Sequence, residues 1–132
     1  MIIKYLRYLF NKKFPLKICD FSHTITNIEY YKSIYNKRIT YFDKSNIEIG
    51  YIEYNLHSGK ICLFFITEEK YRNRGLGEQI LQKVINNMKQ YGTNRAWLVT
   101  ANCPHKFWEK NGFTYANPPD CSVTMHGYTR II

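Results

Sequence analysis

The spacing of apolar residues changes twice in the middle of the chain, and the changes predict a strand, a helix and a second strand. Residues 60–67 form a continuous apolar run rich in β-formers, which predicts a strand buried on both faces. Apolar residues then recur at helical spacing, at Leu76, Ile80, Leu81, Val84, Ile85, Met88 and Tyr91. Gly92 stands where a helix commonly ends, and residues 95–101 predict another strand. Such a strand–helix–strand unit with a short return predicts a parallel strand pair.

The segment between the first strand and the helix combines two arginines with two glycines, as Arg72-Asn73-Arg74-Gly75-Leu76-Gly77-Glu78. The first N–H groups of a helix have no internal acceptors, and the helix dipole favours an anion there. Glycine lets phosphate oxygens approach the backbone closely, and arginine adds charged donors. The segment therefore predicts a pyrophosphate site, although it has neither the Walker spacing nor G-x-G-x-x-G. The alternative is a plain turn with two solvated arginines.

Further elements are predicted on both sides of this unit. Upstream, Glu48–Tyr54 and Ile61–Ile66 predict a hairpin around a turn at 57–59. Downstream, the chain predicts a helix with Asn102 or Cys103 as its cap and Pro104 in its first turn, ended by Asn111-Gly112. Additional strands are expected at residues 28–34, 38–42, 113–115 and 122–128.

These elements, in this order, resemble the GNAT superfamily of N-acetyltransferases. Arg72-x-x-Gly75-x-Gly77 fits the family's acyl-CoA loop, [RQ]-x-x-G-x-[GA], and the segment from Asn102 to Phe113 is similar to its later signature. The resemblance implies a single domain over residues 1–132. Its fold would be of the α/β class (α+β, GNAT-like), with a mixed antiparallel and parallel twisted sheet. The usual helices are hard to find between residues 17 and 46, which predicts a reduced N-terminal helical region and an open acceptor groove.

The resemblance also implies an activity and a cofactor site. The chain would move an acetyl group from acetyl-CoA to a primary amine by direct attack in a ternary complex, without a metal. The acceptor would be a small amine, or a lysine or N-terminus of a peptide or protein. The backbone of Ile66 and Thr67 would pair with the pantetheine arm, and the N–H groups from Asn73 to Glu78 would hold the pyrophosphate. The implied cofactor-binding set is Ile66, Thr67, Arg72, Asn73, Arg74, Gly75, Leu76, Gly77, Glu78, Asn102 and Phe107.

Proton transfer is where the chain departs from the family pattern. Trp108 replaces the tyrosine that commonly serves as the acid, and an indole N–H can only donate a hydrogen bond. Apolar residues replace the usual strand base. The remaining catalytic candidates are Glu68 acting through water, His105 as an imidazole base, and Tyr115 or Tyr128 as the acid. Each also has a plainer interpretation as a solvated or packed side chain, which leaves a second hypothesis: a CoA-binding or partner-binding module that lacks catalysis.

Composition bears on the ligand class and the cellular compartment of the protein. The chain has 19 lysines and arginines against 10 acidic residues, a formal charge of +9, but the basic residues are scattered. Steering of anionic CoA therefore explains the charge better than nucleic-acid binding, the third hypothesis. Four widely spaced cysteines without C-x-x-C favour free thiols in a reducing, cytoplasmic compartment. Residues 1–10 lack a signal-peptide pattern and are too few to span a membrane. A basic amphipathic helix here would permit binding to a membrane surface, but packing on the sheet is the favoured prediction. A monomer or a homodimer is equally compatible with the sequence.

Overall fold

Two antiparallel sheets and two α-helices form the part of the chain that the computed structural model describes, residues 14–28, 35–102, 105–116, 122 and 124–132. The first sheet has the order β1-β2-β3-β4, and the second has the order β5-β7-β6. The strands are β1 Ser22–Asn27, β2 Lys37–Phe42, β3 Glu48–Tyr54, β4 Ile61–Ile66, β5 Arg95–Thr100, β6 Thr114–Tyr115 and β7 His126–Ile131. The helices are α1 Leu76–Tyr91 and α2 Lys106–Lys110.

Helix α1 confirms the prediction from the apolar spacing. Its stripe is buried against both sheets, at Leu76, Ile80, Leu81, Val84, Ile85 and Met88. Gly92 adopts a left-handed φ of 101°, and its N–H donates to the carbonyls of Met88 and Lys89. Glycine tolerates this conformation without steric cost, which is why the helix ends here.

Strand β4 is present where predicted, but it is not buried on both faces. Its side chains alternate: Phe64 and Ile66 pack against the core, whereas Leu63 and Phe65 are 45% and 50% exposed. The strand lies at the edge of the first sheet, and α1 covers only one of its faces. A continuous apolar run therefore marks a strand here without marking two-sided burial.

The predicted parallel pairing of β4 and β5 is limited to one bridge between Lys60 and Trp97. There the N–H of Trp97 donates to the carbonyl of Gly59 at 3.0 Å. Beyond the bridge the two strands belong to different sheets, and a groove opens between them. The short parallel contact thus positions the walls of the groove.

Several predicted boundaries are wrong. Helix α2 begins at Lys106 with His105 as its cap, later than Asn102 or Cys103. The last strand spans residues 126–131 rather than 122–128, because it pairs along the whole of β5. The strand predicted at 38–42 is confirmed as β2, and the short strand at 113–115 is confirmed as β6. The sequence pattern missed β1, while residues 29–34 of the strand predicted at 28–34 lie outside the described residues.

The described N-terminal half contains one helical turn, a 3-10 turn at Ile18–Asp20, in agreement with a reduced helical region. The predicted packing of residues 1–10 on the sheet lies outside the described residues, as do Cys103 and Cys121. Among the described residues, Cys19 and Cys62 are not joined in a disulfide. Of the helices in the described ranges, none is long and apolar enough to cross a membrane.

Candidate functional site

The segment before α1 presents a row of unused backbone donors. Asn73 and Gly75 adopt left-handed φ angles of 58° and 88°, which turn the chain sharply into the helix. No backbone N–H from Asn73 to Glu78 donates to any of the residues that the structure describes. Successive unused N–H groups at a helix start, together with the helix dipole, form a site suited to an anion.

The two arginines of this segment have different roles. Arg72 lines the groove, and its Nε donates to the carbonyl of Ile66 at 2.8 Å. Its guanidinium is thus fixed at the end of β4, beside the row of N–H groups. Arg74 does not line the groove: its Nε donates to the Phe14 carbonyl at 2.9 Å and its Nη1 to the Lys70 carbonyl at 3.2 Å. Arg74 therefore holds the segment in shape, although the sequence placed it in the cofactor-binding set.

Gln79 is a structural residue of the site that the sequence reasoning missed. Its Oε1 accepts from the N–H of Ile18 at 2.8 Å, and its Nε2 donates to the carbonyl of Leu16 at 2.6 Å. The side chain lies one turn into α1 and joins the helix start to a segment some sixty residues earlier. Helical periodicity marks Gln79 only as a polar position, so no local signal could have revealed this contact.

A groove of about 920 Å³ runs between β4 and β5 and reaches the start of α1. It brings together nine of the residues predicted from the sequence: Ile66, Arg72, Asn73, Gly75, Gly77, Glu78, Asn102, His105 and Phe107. Six other predicted residues do not line it: Thr67, Glu68, Arg74, Leu76, Tyr115 and Tyr128. Leu76 is instead a core residue of α1.

The register of β4 determines which backbone groups face the groove. The N–H of Thr67 donates to the carbonyl of Ile49 on β3 at 2.8 Å. In an antiparallel ladder, residues whose backbone N–H and C=O groups bond to the neighbouring strand alternate with residues whose N–H and C=O groups point away from that strand. Ile66 and Phe64 therefore direct their N–H and C=O groups toward the groove, and Arg72 already occupies the Ile66 carbonyl. Ile66 thus faces the groove, whereas the Thr67 N–H is engaged within the sheet. Phe64, which the sequence did not single out, also faces the groove.

Three aromatic side chains form the inner wall of the groove. Phe64, Phe107 and Trp108 meet edge to face, with ring centroids 5.0–6.2 Å apart. Gly77 makes this packing possible, because a Cβ at that position would lie 3.2 Å from Cε2 of Phe107. Gly77 therefore allows close packing between α1 and this wall, in which Trp108 is buried.

Of the four catalytic candidates, Glu68, His105, Tyr115 and Tyr128, only His105 lines the groove. Its ring lies beside Phe107 and Trp108, and its Nδ1 is buried without a hydrogen-bond partner in the described ranges. Its backbone N–H donates to the hydroxyl of Tyr128 at 2.9 Å. Tyr115 lies outside the groove lining, and its hydroxyl contacts the ring of His126.

Cys62 also lines the groove, and its environment keeps the thiol protonated. Burial raises the pKa of the Cys62 thiol; nearby Lys60 lowers this pKa and Glu53 raises it. Because the thiolate is the nucleophilic form, Cys62 is suited to packing rather than to acyl transfer. Within the described ranges, no three His, Cys, Asp or Glu side chains come together as metal ligands.

Comparisons with known proteins identify relatives of this arrangement. The family model described as an acetyltransferase (GNAT) domain matches residues 14–124. The PaiA N-acetyltransferase of Thermoplasma acidophilum, solved with coenzyme A, is 18% identical, with a TM-score of 0.60 over 72% of this chain. A GNAT family acetyltransferase of Elizabethkingia anophelis, solved with acetyl-CoA, is 14% identical, with a TM-score of 0.63 over 86% of this chain and 99% of its own.

A third similar structure, Ard1 of Thermoplasma volcanium, is 18% identical, with a TM-score of 0.60 over 72% of this chain and 70% of its own. The chain spans 60% of the length of the PaiA structure. No curated protein sequence matches this chain significantly. At these identities the solved structures establish the fold.

Proposed function

Because this chain belongs to the GNAT acetyltransferase family, we propose that it transfers an acetyl group from acetyl-CoA to a primary amine. The observation that carries the proposal is the row of unused N–H groups from Asn73 to Glu78, which opens onto the groove between β4 and β5. The pyrophosphate of CoA would bind to these N–H groups and to Arg72. The pantetheine arm would follow β4, pairing with Phe64 and the N–H of Ile66. Asn102 and Phe107 would flank its far end.

In the proposed reaction the neutral amine attacks the thioester carbonyl within the groove. The new C–N bond forms, the C–S bond breaks, and the released thiolate takes a proton as the amine nitrogen loses one. We assign His105 as the general base, because it is the one catalytic candidate that lines the groove. Glu68 and Tyr115 remain predictions that need an intervening water or a displacement of the chain.

Calorimetric titration of acetyl-CoA tests the binding half of this function. Arg72→Ala is expected to weaken binding by about 10- to 100-fold, the usual effect of losing a charge-assisted hydrogen bond. The matched control is Arg95→Ala, which removes the same charge from a residue outside the groove. Undetectable binding by the parent chain, or equal losses in both variants, would contradict the proposed site.

Turnover tests the catalytic half. His105→Gln is expected to lower kcat by about 100-fold or more while leaving the Kd of acetyl-CoA unchanged, as expected for loss of a general base. His57→Gln serves as the control, because His57 is exposed, lies outside the groove and contacts Tyr91. Equal kcat values for the parent and His105→Gln would remove His105 from the mechanism.

A second function is favoured by the wall of the groove itself. Trp108, Ile61 and Leu63 line the groove. By the resemblance to the family, they stand at positions that often carry proton-transfer groups. A chain with this wall is also suited to bind CoA without using it, as a partner-binding module. Binding of acetyl-CoA without acetylation of any amine would favour that function, and measurable turnover would exclude it.

A further inference from the structure

The groove opens on two sides of the molecule that differ in chemistry. On the side of α1 it meets the row of N–H groups, Arg72 and Lys110. On the opposite side it meets Leu63 and Phe65 of β4 and Val99 of β5, which point away from the core and are 42–50% exposed. If the proposed function holds, CoA occupies the first side, and the second side is where an acceptor reaches the thioester.

The apolar rim formed by Leu63, Phe65 and Val99 is small. Leu63 and Phe65 are two residues apart, which corresponds to about 7 Å along a strand. On the same face of the sheet, Tyr51 on β3 lies beside Phe65, with ring centroids 6.0 Å apart. Beyond Tyr51 the face becomes polar, because its neighbour in β2 is Thr40. As far as the described residues form it, the rim therefore has room for one ring or a short alkyl chain, and not for several residues of an apolar peptide.

A charged cluster of Arg38, Glu48 and Glu53 borders this rim. The Arg38 guanidinium stacks on the Tyr51 ring at 4.1 Å and pairs with the buried Glu53 at 2.7 Å. The second terminal nitrogen of Arg38, Nη2, lies 3.6 Å from Oε1 of Glu48. This carboxylate oxygen is buried and accepts no hydrogen bond from the described residues. Two carboxylates against one guanidinium give the cluster a net charge of −1, on a chain whose total is +9. Such a local reversal of sign attracts a protonated amine to the rim.

We propose that the acceptor is a small primary amine carried on an aromatic or alkyl group, which packs on the rim formed by Leu63, Phe65 and Val99. The apolar group displaces water from the rim, and the acidic cluster attracts the amine in its protonated form. The neutral form then attacks the thioester; the products are the N-acetyl amine and CoA-SH. Phe65 is the specificity-determining residue, because it joins the rim to the Tyr51 ring. This inference rests on the proposed function.

Release of CoA thiol with three amines tests the inference: 2-phenylethylamine, ethanolamine and spermidine. For the parent chain, kcat/KM for 2-phenylethylamine is expected to be at least about 10-fold higher than for the two hydrophilic amines. Discrimination of this size is typical when one apolar group of a substrate is buried in a pocket. Phe65→Ala should raise KM for 2-phenylethylamine by about 10-fold and leave KM for ethanolamine unchanged. Phe65→Leu should restore most of the preference.

The control variant is Ile25→Ala on β1, whose side chain is 53% exposed and lies outside the groove. An unchanged Kd for acetyl-CoA in Phe65→Ala shows that the variant is folded and that the loss concerns the acceptor. Turnover of ethanolamine or spermidine at least equal to that of 2-phenylethylamine would overturn this inference and leave the acetyltransferase function standing. Acetyl-CoA binding without turnover of any amine would overturn both.

Discussion

Tyr54 shows how one buried polar residue links a strand to the main helix. Its side chain is 1% exposed, and its hydroxyl donates to Asn87 Oδ1 on α1 at 2.7 Å. Burial raises the pKa of Tyr54 to about 12, and the nearby Tyr41 adds to the increase. Burial also raises the pKa of Tyr41 itself. Both hydroxyls stay neutral in the native protein at pH values where an unfolded tyrosine already ionises.

This pKa difference predicts a loss of stability in alkali. Below about pH 10 the Tyr54 hydroxyl is protonated in both states, so it adds no pH dependence. Between about pH 10 and 12 the unfolded chain loses the proton and the native protein keeps it, so the free energy of unfolding falls, by roughly 2–3 kcal/mol in all. Urea denaturation from pH 8 to 11 should show a shallower decline for Tyr54→Phe than for the parent. The exposed Tyr91→Phe should leave the decline unchanged; an equal slope in all three proteins would contradict the assignment.

At the scale of elements, the sequence predicts those parts whose pattern is local. The apolar stripe and Gly92 define α1, and the loop glycines mark the candidate anion site, because each depends on neighbours a few residues away. Strand β1 was missed because all six of its residues are exposed and show no alternation of burial. The separate roles of Arg72 and Arg74 were equally hidden. Arg74 binds a carbonyl 60 positions away, and only the folded chain shows which arginine is left beside the groove.

Gln79 tests such a long-range contact between elements. Gln79→Ala removes both hydrogen bonds to the segment at 16–18, which should lower the free energy of unfolding by about 1–3 kcal/mol and speed hydrogen exchange at the Ile18 amide. The matched control is Gln82→Ala, because Gln82 is exposed and its side chain bonds to Asn86 on the same helix. If both variants lose the same stability, the Gln79 contacts do not hold this segment.

At the scale of the whole molecule, the groove exists because two sheets meet at one point and then separate. The Gly59–Trp97 hydrogen bond forms that point, and the indole N–H of Trp97 adds a bond to the Ser58 carbonyl at 2.9 Å. Gly59 has a left-handed φ of 75°, and a Cβ there would lie 1.9 Å from the backbone oxygen of Arg95. No side chain can be accommodated unless the two sheets move apart.

Substitution of Gly59 should therefore affect stability and the groove together. Gly59→Ala is expected to lower the free energy of unfolding by at least about 3 kcal/mol, since overpacking adds to the strain of a left-handed alanine. Gly92→Ala is the control: its φ of 101° imposes the same kind of strain, but a Cβ there meets nothing within 4 Å. Its cost should stay at about 1–2 kcal/mol. Urea denaturation measures the free energy of unfolding of both variants. Calorimetry should show weaker acetyl-CoA binding only for Gly59→Ala, because only that change separates β4 from β5. Equal losses of stability in the two variants would mean that this contact does not hold the sheets together.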